Sequence, residues 1–170
     1  ADAWTNDLLQ HLGVQLPLTI TQEQVTYFAS PHYGDYAPDR FPVWIWMDEP
    51  CFYGFPLYGE PAVKVAQDVG GREVTAQTRT FEPDPAILLR TEEFLRRHLP
   101  SALGPVHYSK TCLYTMTPDR DFVIDTVPGH PHIAVGLGAA HGFKFASVIG
   151  RLLAGLAGFG PVDADLTPFA

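Results

Sequence analysis

The order of patterns along this chain predicts an α+β fold, with a mixed or antiparallel sheet from about Thr21 to Val106. Three observations lead there. Short strand-like runs fill the first part of the chain, FPVWIWM at 41–47 and CFYGFPLYGEPAVKVA at 51–66 among them. One helix with clear start and stop signals follows at Pro85–Leu99. A glycine-studded turn (Gly136, Gly138, Gly142) then opens a long apolar helical pattern near His141.

Taken in order, the chain begins with a short helix that Asp2 can cap. Trp4, Leu8, Leu9 and Leu12 share one of its faces, and Gly13 ends it. Val14, Leu16, Leu18 and Ile20 alternate with other residues, which predicts an extended segment despite Pro17. A strand is expected at Gln24–Ala29, and SPHYGDYAPDR at 30–40 reads as a loop. In the run Phe41–Met47, Trp44 and Trp46 point to one face and Val43, Ile45 and Met47 to the other. One face would line a core and the other could line a pocket. Cys51–Ala66 reads as two strands joined by a glycine and proline turn, with Lys64 inside the second. A lysine so flanked by Val63 and Val65 either points to solvent or aims a partly buried ammonium into a cavity.

Asp84 caps the helix at Pro85–Leu99, Pro85 takes its first position, and Pro100 stops it. Glu92 with Arg96 and Glu93 with Arg97 form outward pairs of a structural kind. Cys112 lies in a β-like run, Thr111–Thr115, and a second apolar run covers Ile133–Leu137. In the final helix apolar residues cover most of the circumference, leaving a narrow polar stripe of Lys144, Ser147 and Arg151. Such a helix is expected to be buried on several sides. Lys144 in its first turn opposes the helix dipole and calls for a nearby anion, either a ligand carboxylate or one of Asp119, Asp121 and Asp125.

With 170 residues, 46% of them hydrophobic, the chain can bury a proper core. A net charge of −8 with scattered basic residues argues against a nucleic-acid or anionic-membrane partner. No apolar run approaches the ~20 residues of a membrane span, and the start Ala1-Asp2-Ala3-Trp4 is unlike a signal peptide. Two cysteines make no disulfide scaffold, so a reduced, cytoplasmic setting is expected. CxxC, HExxH and GxSxG motifs and metal-spaced histidine pairs are all missing, leaving zinc and serine-hydrolase chemistry without support. Spacing alone permits a thiol enzyme pairing Cys112 with His107, His130 or His141, although such a cysteine is more often a small buried hydrophobe.

Three segments in order, YGFPLYGEPAVKVA, KTCLYTMTPDRDFVID and PHIAVGLGAAHGFKFASVIGRLLAGLA, carry a resemblance. They are similar to the C-terminal half of the monomeric sarcosine oxidase and N-methyltryptophan oxidase family of FAD-dependent amine oxidases. The likeness runs from ADAW at the start to DLTPF near the end. It implies that residues 1–20 and 107–170 belong to a flavin-binding layer of α/β type, and residues 21–106 to a substrate-binding domain. The family's N-terminal Rossmann half, with its GxGxxG turn and a carboxylate-binding arginine, has no counterpart here; GLGAAHG does not replace it. The chain is therefore expected to be part of an enzyme about twice as long, inactive alone, and to associate with the missing half or with itself.

The resemblance also implies roles. Cys112 stands where the family attaches FAD covalently through the flavin 8α-methyl group. Lys64 stands at the flavin N5 edge, where a lysine is implicated in activating dioxygen. Lys144 stands where a lysine binds the substrate carboxylate, Tyr53 matches a tyrosine lining the substrate cavity, and Tyr114, which follows the attachment cysteine as in the family, stands with the cofactor-binding residues near the same cavity. Gly138, His141 and Gly142 match backbone beside the flavin ring. The implied reaction oxidises the C–N bond of a small secondary amino acid, N-methyl or cyclic, with dioxygen, giving imine or aldehyde and hydrogen peroxide. Sarcosine oxidases can carry a histidine shortly after the active-site lysine; Gln67 and Asp68 stand there here, which argues against sarcosine itself. The alternative is a non-catalytic folded module that needs the missing half.

Overall fold

The computed structural model describes residues 1–170. Compact packing divides the chain into unit 1 (Ala1–Ile20, Thr75–Gln77, Leu113–Ala170) and unit 2 (Thr21–Val74, Thr78–Cys112). In chain order the elements are α1 (Thr5–Leu9), β1 (Thr19–Phe28), β2 (Trp44–Trp46), β3 (Phe52–Phe55), β4 (Val63–Gln67) and β5 (Arg72–Glu73). They continue with α2 (Pro85–His98), β6 (Val106–Met116), β7 (Val123–Val127), β8 (His130–Leu137) and α3 (Ala146–Leu156). This is the expected mixture of helices and antiparallel sheet. With 14 residues in the longest, no helix is long and apolar enough to cross a membrane.

The larger sheet has the order β2-β3-β4-β1-β5, and β6 also pairs with β1. All four pairings along that path are antiparallel. The hairpin expected in 51–66 forms as β3 and β4, with Lys64 opposite Phe55 on one side and Tyr27 on the other. The strand expected at Gln24–Ala29 is longer and starts at Thr19. Its first half is polar yet buried, so apolar alternation could not reveal it. Three consecutive side chains there take backbone amides from the segment after β4. Gln22 accepts from Thr80 at 2.6 Å, Glu23 from Gly71 at 3.0 Å, and Gln24 from Asp84 at 2.7 Å. Such buried acceptors are stable only because they are bonded. Gly71 has to be glycine, because a Cβ there would stand 1.9 Å from the Gln22 carbonyl oxygen.

Of FPVWIWM only Trp44–Trp46 becomes a strand; Pro42 offers no N–H to a ladder at the start of the run. Trp44 turns inward onto Phe94, whereas Val43, Ile45 and Met47 are exposed. One face of the sheet packs on α2. The Asp84 carboxylate accepts the Ala86 N–H at 2.8 Å and Pro85 opens the helix, both as expected, and the Arg96–Glu92 pair forms at 2.6 Å. Phe28, Phe52, Val63, Val65, Phe94 and Leu95 form the core between helix and sheet. Each such side chain contributes about 1.5–3 kcal/mol by leaving water. Phe94 is the centre of that contact, stacked on Phe52 with ring centroids 4.2 Å apart.

In unit 1, Asp2 does not cap α1. It sits inside a 3-10 turn that precedes the helix, with φ 52°, and its carboxylate makes no capping bond. Gly13 ends the segment in a left-handed conformation as expected. Residues 14–18 belong to no strand, and the Leu18 N–H closes onto the Leu16 carbonyl at 2.9 Å. β7 and β8 form an antiparallel hairpin and α3 packs against it. The expectation that the last helix is buried on several sides fails. Only Leu152 of α3 is buried, because the hairpin covers a single face, and Val148 is 48% exposed. The preceding Phe143 is 94% exposed.

Candidate functional site

The sheet of unit 2 has a second face, and alternation along its strands decides what that face carries. Thr26, Phe28, Val63 and Val65 are buried on the α2 side, so Tyr27, Lys64 and Ala66 point the other way. On β3, Tyr53 and Phe55 join them. On β6, Ser109 bonds Thr26 on the α2 side at 2.8 Å, while Tyr108 stacks on Tyr27 with centroids 4.5 Å apart. Tyr108, Lys110 and Cys112 thus share the face of Lys64.

Lys64 is half-buried, and its ammonium lies 4.8 Å from the Phe55 ring centroid and 5.9 Å from that of Tyr53. It forms no salt bridge. The side chain is thus partly buried rather than fully turned to solvent. Loss of solvent lowers its pKa from 10.5, and the Cys112 sulfur, within electrostatic reach, opposes that shift. The two aromatic faces offset part of the desolvation. Cys112 is half-buried, and no disulfide joins it to Cys51. Tyr108 donates to Glu60 at 3.0 Å; burial first, then the bonds to Glu60 and Tyr27, push its phenol up. Three of the residues singled out from the sequence, Tyr53, Lys64 and Cys112, are therefore together. Tyr27, Phe55 and Tyr108 were missed, although period two along β1, β3 and β6 would have found them.

The other five, Tyr114, Gly138, His141, Gly142 and Lys144, belong to unit 1. Tyr114 is half-buried on β6. After β8 the chain turns sharply: Ala139 and Ala140 have φ of 42° and 70°, and His141 N–H closes onto the Gly138 carbonyl at 2.7 Å. A Cβ on Gly138 would lie 2.6 Å from the Gly142 Cα, so this close approach demands glycine. His141 Nε2 lies 3.1 Å from the Arg120 carbonyl oxygen, and its ring packs on Phe122. Lys144 lies in a 3-10 turn, Gly142–Phe145, ahead of α3 rather than in its first α-helical turn. Its ammonium donates to the His141 carbonyl at 3.1 Å. None of Asp119, Asp121 and Asp125 pairs with it. Asp119 and Asp125 instead accept the backbone amides of Asp121 and Thr126. No group of His, Cys, Asp and Glu side chains is arranged to hold a metal ion.

Residues 1–156 match the FAD dependent oxidoreductase family. The chain belongs to that family. It is 32% identical over 172 residues to monomeric sarcosine oxidase of Bacillus sp. (strain NS-129), a match covering 99% of this chain and 44% of that protein. Peroxisomal sarcosine oxidase of Homo sapiens is 32% identical over 177 residues, with 99% and 45% covered. N-methyl-L-tryptophan oxidase of Escherichia coli O157:H7 is 35% identical over 175 residues, with 100% and 45% covered. The chain thus spans under half the length of these relatives. Among solved structures, NikD, an unusual amino acid oxidase essential for nikkomycin biosynthesis, superposes in its open form with a TM-score of 0.80. That match has 25% identity and covers 99% of this chain and 46% of NikD.

Proposed function

We propose that this chain is the C-terminal part of a flavin-dependent oxidase of secondary amino acids, N-methyl or cyclic, that yields imine or aldehyde and hydrogen peroxide. The observation that carries the reading is the half-buried Lys64 ammonium, held on aromatic rings without a carboxylate and in electrostatic reach of the Cys112 thiol. A cation kept so needs a purpose, since burial disfavours its charge. A sheet face with a thiol, an ammonium and aromatic side chains fits a flat isoalloxazine ring. When bound, FAD supplies the capacity to take two electrons from the C–N bond and pass them to dioxygen.

The chain's own residues have separate tasks in this reading. The Cys112 sulfur anchors the cofactor through its 8α-methyl group. Lys64 stabilises negative charge developing on oxygen, the kind of preoriented electrostatic effect that lowers barriers most. Tyr53 walls the substrate side in unit 2. In unit 1, the tight turn Gly138–Gly142 lets backbone amides and His141 approach the ring, Tyr114 lines the cavity, and Lys144, which has no carboxylate partner, binds the substrate's. In this reading residues 1–20 and 107–170 belong to the cofactor layer and residues 21–106 to the substrate domain, with β6 up to Cys112 packed in unit 2. An N-terminal FAD-binding half completes the enzyme. The test is the full-length protein. Intact mass and acid-stable absorbance should report flavin on Cys112, and N-methyl amino acids should drive peroxide release. A preparation loaded with FAD that releases no peroxide with any secondary amino acid defeats the proposal.

A further inference from the structure

On the α2 side of the sheet, away from Lys64, the turn between β2 and β3 and the last turn of α2 border a recess of about 240 Å³. Its floor is apolar: Phe52 and Phe94 stack there with centroids 4.2 Å apart, and both are buried. Trp46 and His98 add two more rings, 4.3 Å apart and both packed on Phe94, and Trp46 is 40% exposed. Charges of both signs line the same recess, Asp48 and Glu49 from the turn and Arg97 from the helix. They do not neutralise one another. No ion pair joins Arg97 to either carboxylate, nor to Glu93, its expected partner on α2, although Arg96 does pair with Glu92. Asp48 accepts only the neighbouring Glu49 N–H, at 2.9 Å. Opposite charges that share a recess of this size without meeting leave room for a molecule that carries both.

We propose that this recess binds a free aromatic α-amino acid as its zwitterion. The ligand's carboxylate takes the Arg97 guanidinium, whose planar fork of N–H donors matches it. Its ammonium takes Asp48 and Glu49. Its ring lies against Trp46 and His98 and removes their exposed surface from water. A plain carboxylic acid answers only the Arg97 end, and a plain amine only the acidic end. The bound molecule ties the β2–β3 turn to the end of α2. The site uses no residue of the Lys64 face, so it stands independently of the oxidase reading.

The test uses the full-length protein labelled with fluorotryptophan, and the fluorine resonance of Trp46, assigned through Trp46→Phe, reports on this recess alone. L-Phenylalanine should shift that resonance with a Kd of about 1 mM, the ordinary efficiency for a ligand of this size. 3-Phenylpropanoate, which lacks the ammonium, and 2-phenylethylamine, which lacks the carboxylate, should each bind about three- to tenfold more weakly. Arg97→Gln should lower L-phenylalanine to the level of the amine. Asp48→Asn combined with Glu49→Gln should lower it to the level of the acid. A Trp46 resonance that stays in place up to roughly 30 mM L-phenylalanine overturns the site. So does an acid or amine that binds as tightly as the zwitterion, or a variant that weakens all three compounds alike. The three compounds on the parent protein decide the matter even where a variant fails to fold.

Discussion

Replacing Lys64 by Met removes the charge and keeps an unbranched stem of similar length against Phe55 and Tyr53, so the packing of β4 survives. A unit charge acting about 4 Å away at an effective dielectric near 20 contributes about 4 kcal/mol. Half-exposure reduces this, and about 2–4 kcal/mol corresponds to a 30- to 1000-fold loss of rate. The loss should fall on the oxygen half-reaction, followed by rapid mixing of substrate-reduced enzyme with dissolved oxygen. Anaerobic reduction by the amine should change less than about threefold. Equal slowing of both half-reactions would refute the reasoning. Stability moves in the other direction. Because burial lowers the Lys64 pKa from 10.5, the charged side chain costs the fold stability below that lowered pKa, and the cost fades as pH rises to 10.5. Lys64→Met should therefore melt above the parent near neutral pH, with the gap closing towards pH 10.5.

Cys112→Ser should fold with an unchanged far-ultraviolet spectrum yet carry no acid-stable flavin; retention of covalent flavin would reassign the anchor. Phe94→Ala removes the side chain that joins α2 to Trp44, Trp46 and Phe52, and should cost about 3–5 kcal/mol in a urea titration. A cost below about 1 kcal/mol would mean that α2 is held by other contacts. Glu23→Ala leaves the Gly71 N–H and the Thr21 hydroxyl without their acceptor, a loss of about 1–3 kcal/mol. Hydrogen exchange at Gly71 should rise in the same variant, and an unchanged rate would remove Glu23 from the contacts that fix the segment after β4.

Local chemistry sufficed for elements whose signals lie within a few residues. The Asp84 cap with Pro85, the β3–β4 hairpin and the left-handed Gly13 were readable because turn geometry and capping are short-range. The placement of Lys64 in a hydrophobic run was readable too, but on sequence alone a lysine so placed usually points to solvent. Only the register of β3, β4 and β1 decided between solvent and a half-buried face, since it set the Phe55 and Tyr53 rings beside the ammonium. The first half of β1 escaped notice because its buried residues are polar, and their partners lie some 50 to 60 positions away in the chain. Asp2 and the last helix failed for the same reason in reverse. A capping residue and an apolar surface state what a segment can do, while burial depends on which other segments fold against it. The amino-acid order thus determined the elements and the family likeness. The tertiary structure decided which side chains share a face, because that depends on register between strands that no local pattern encodes.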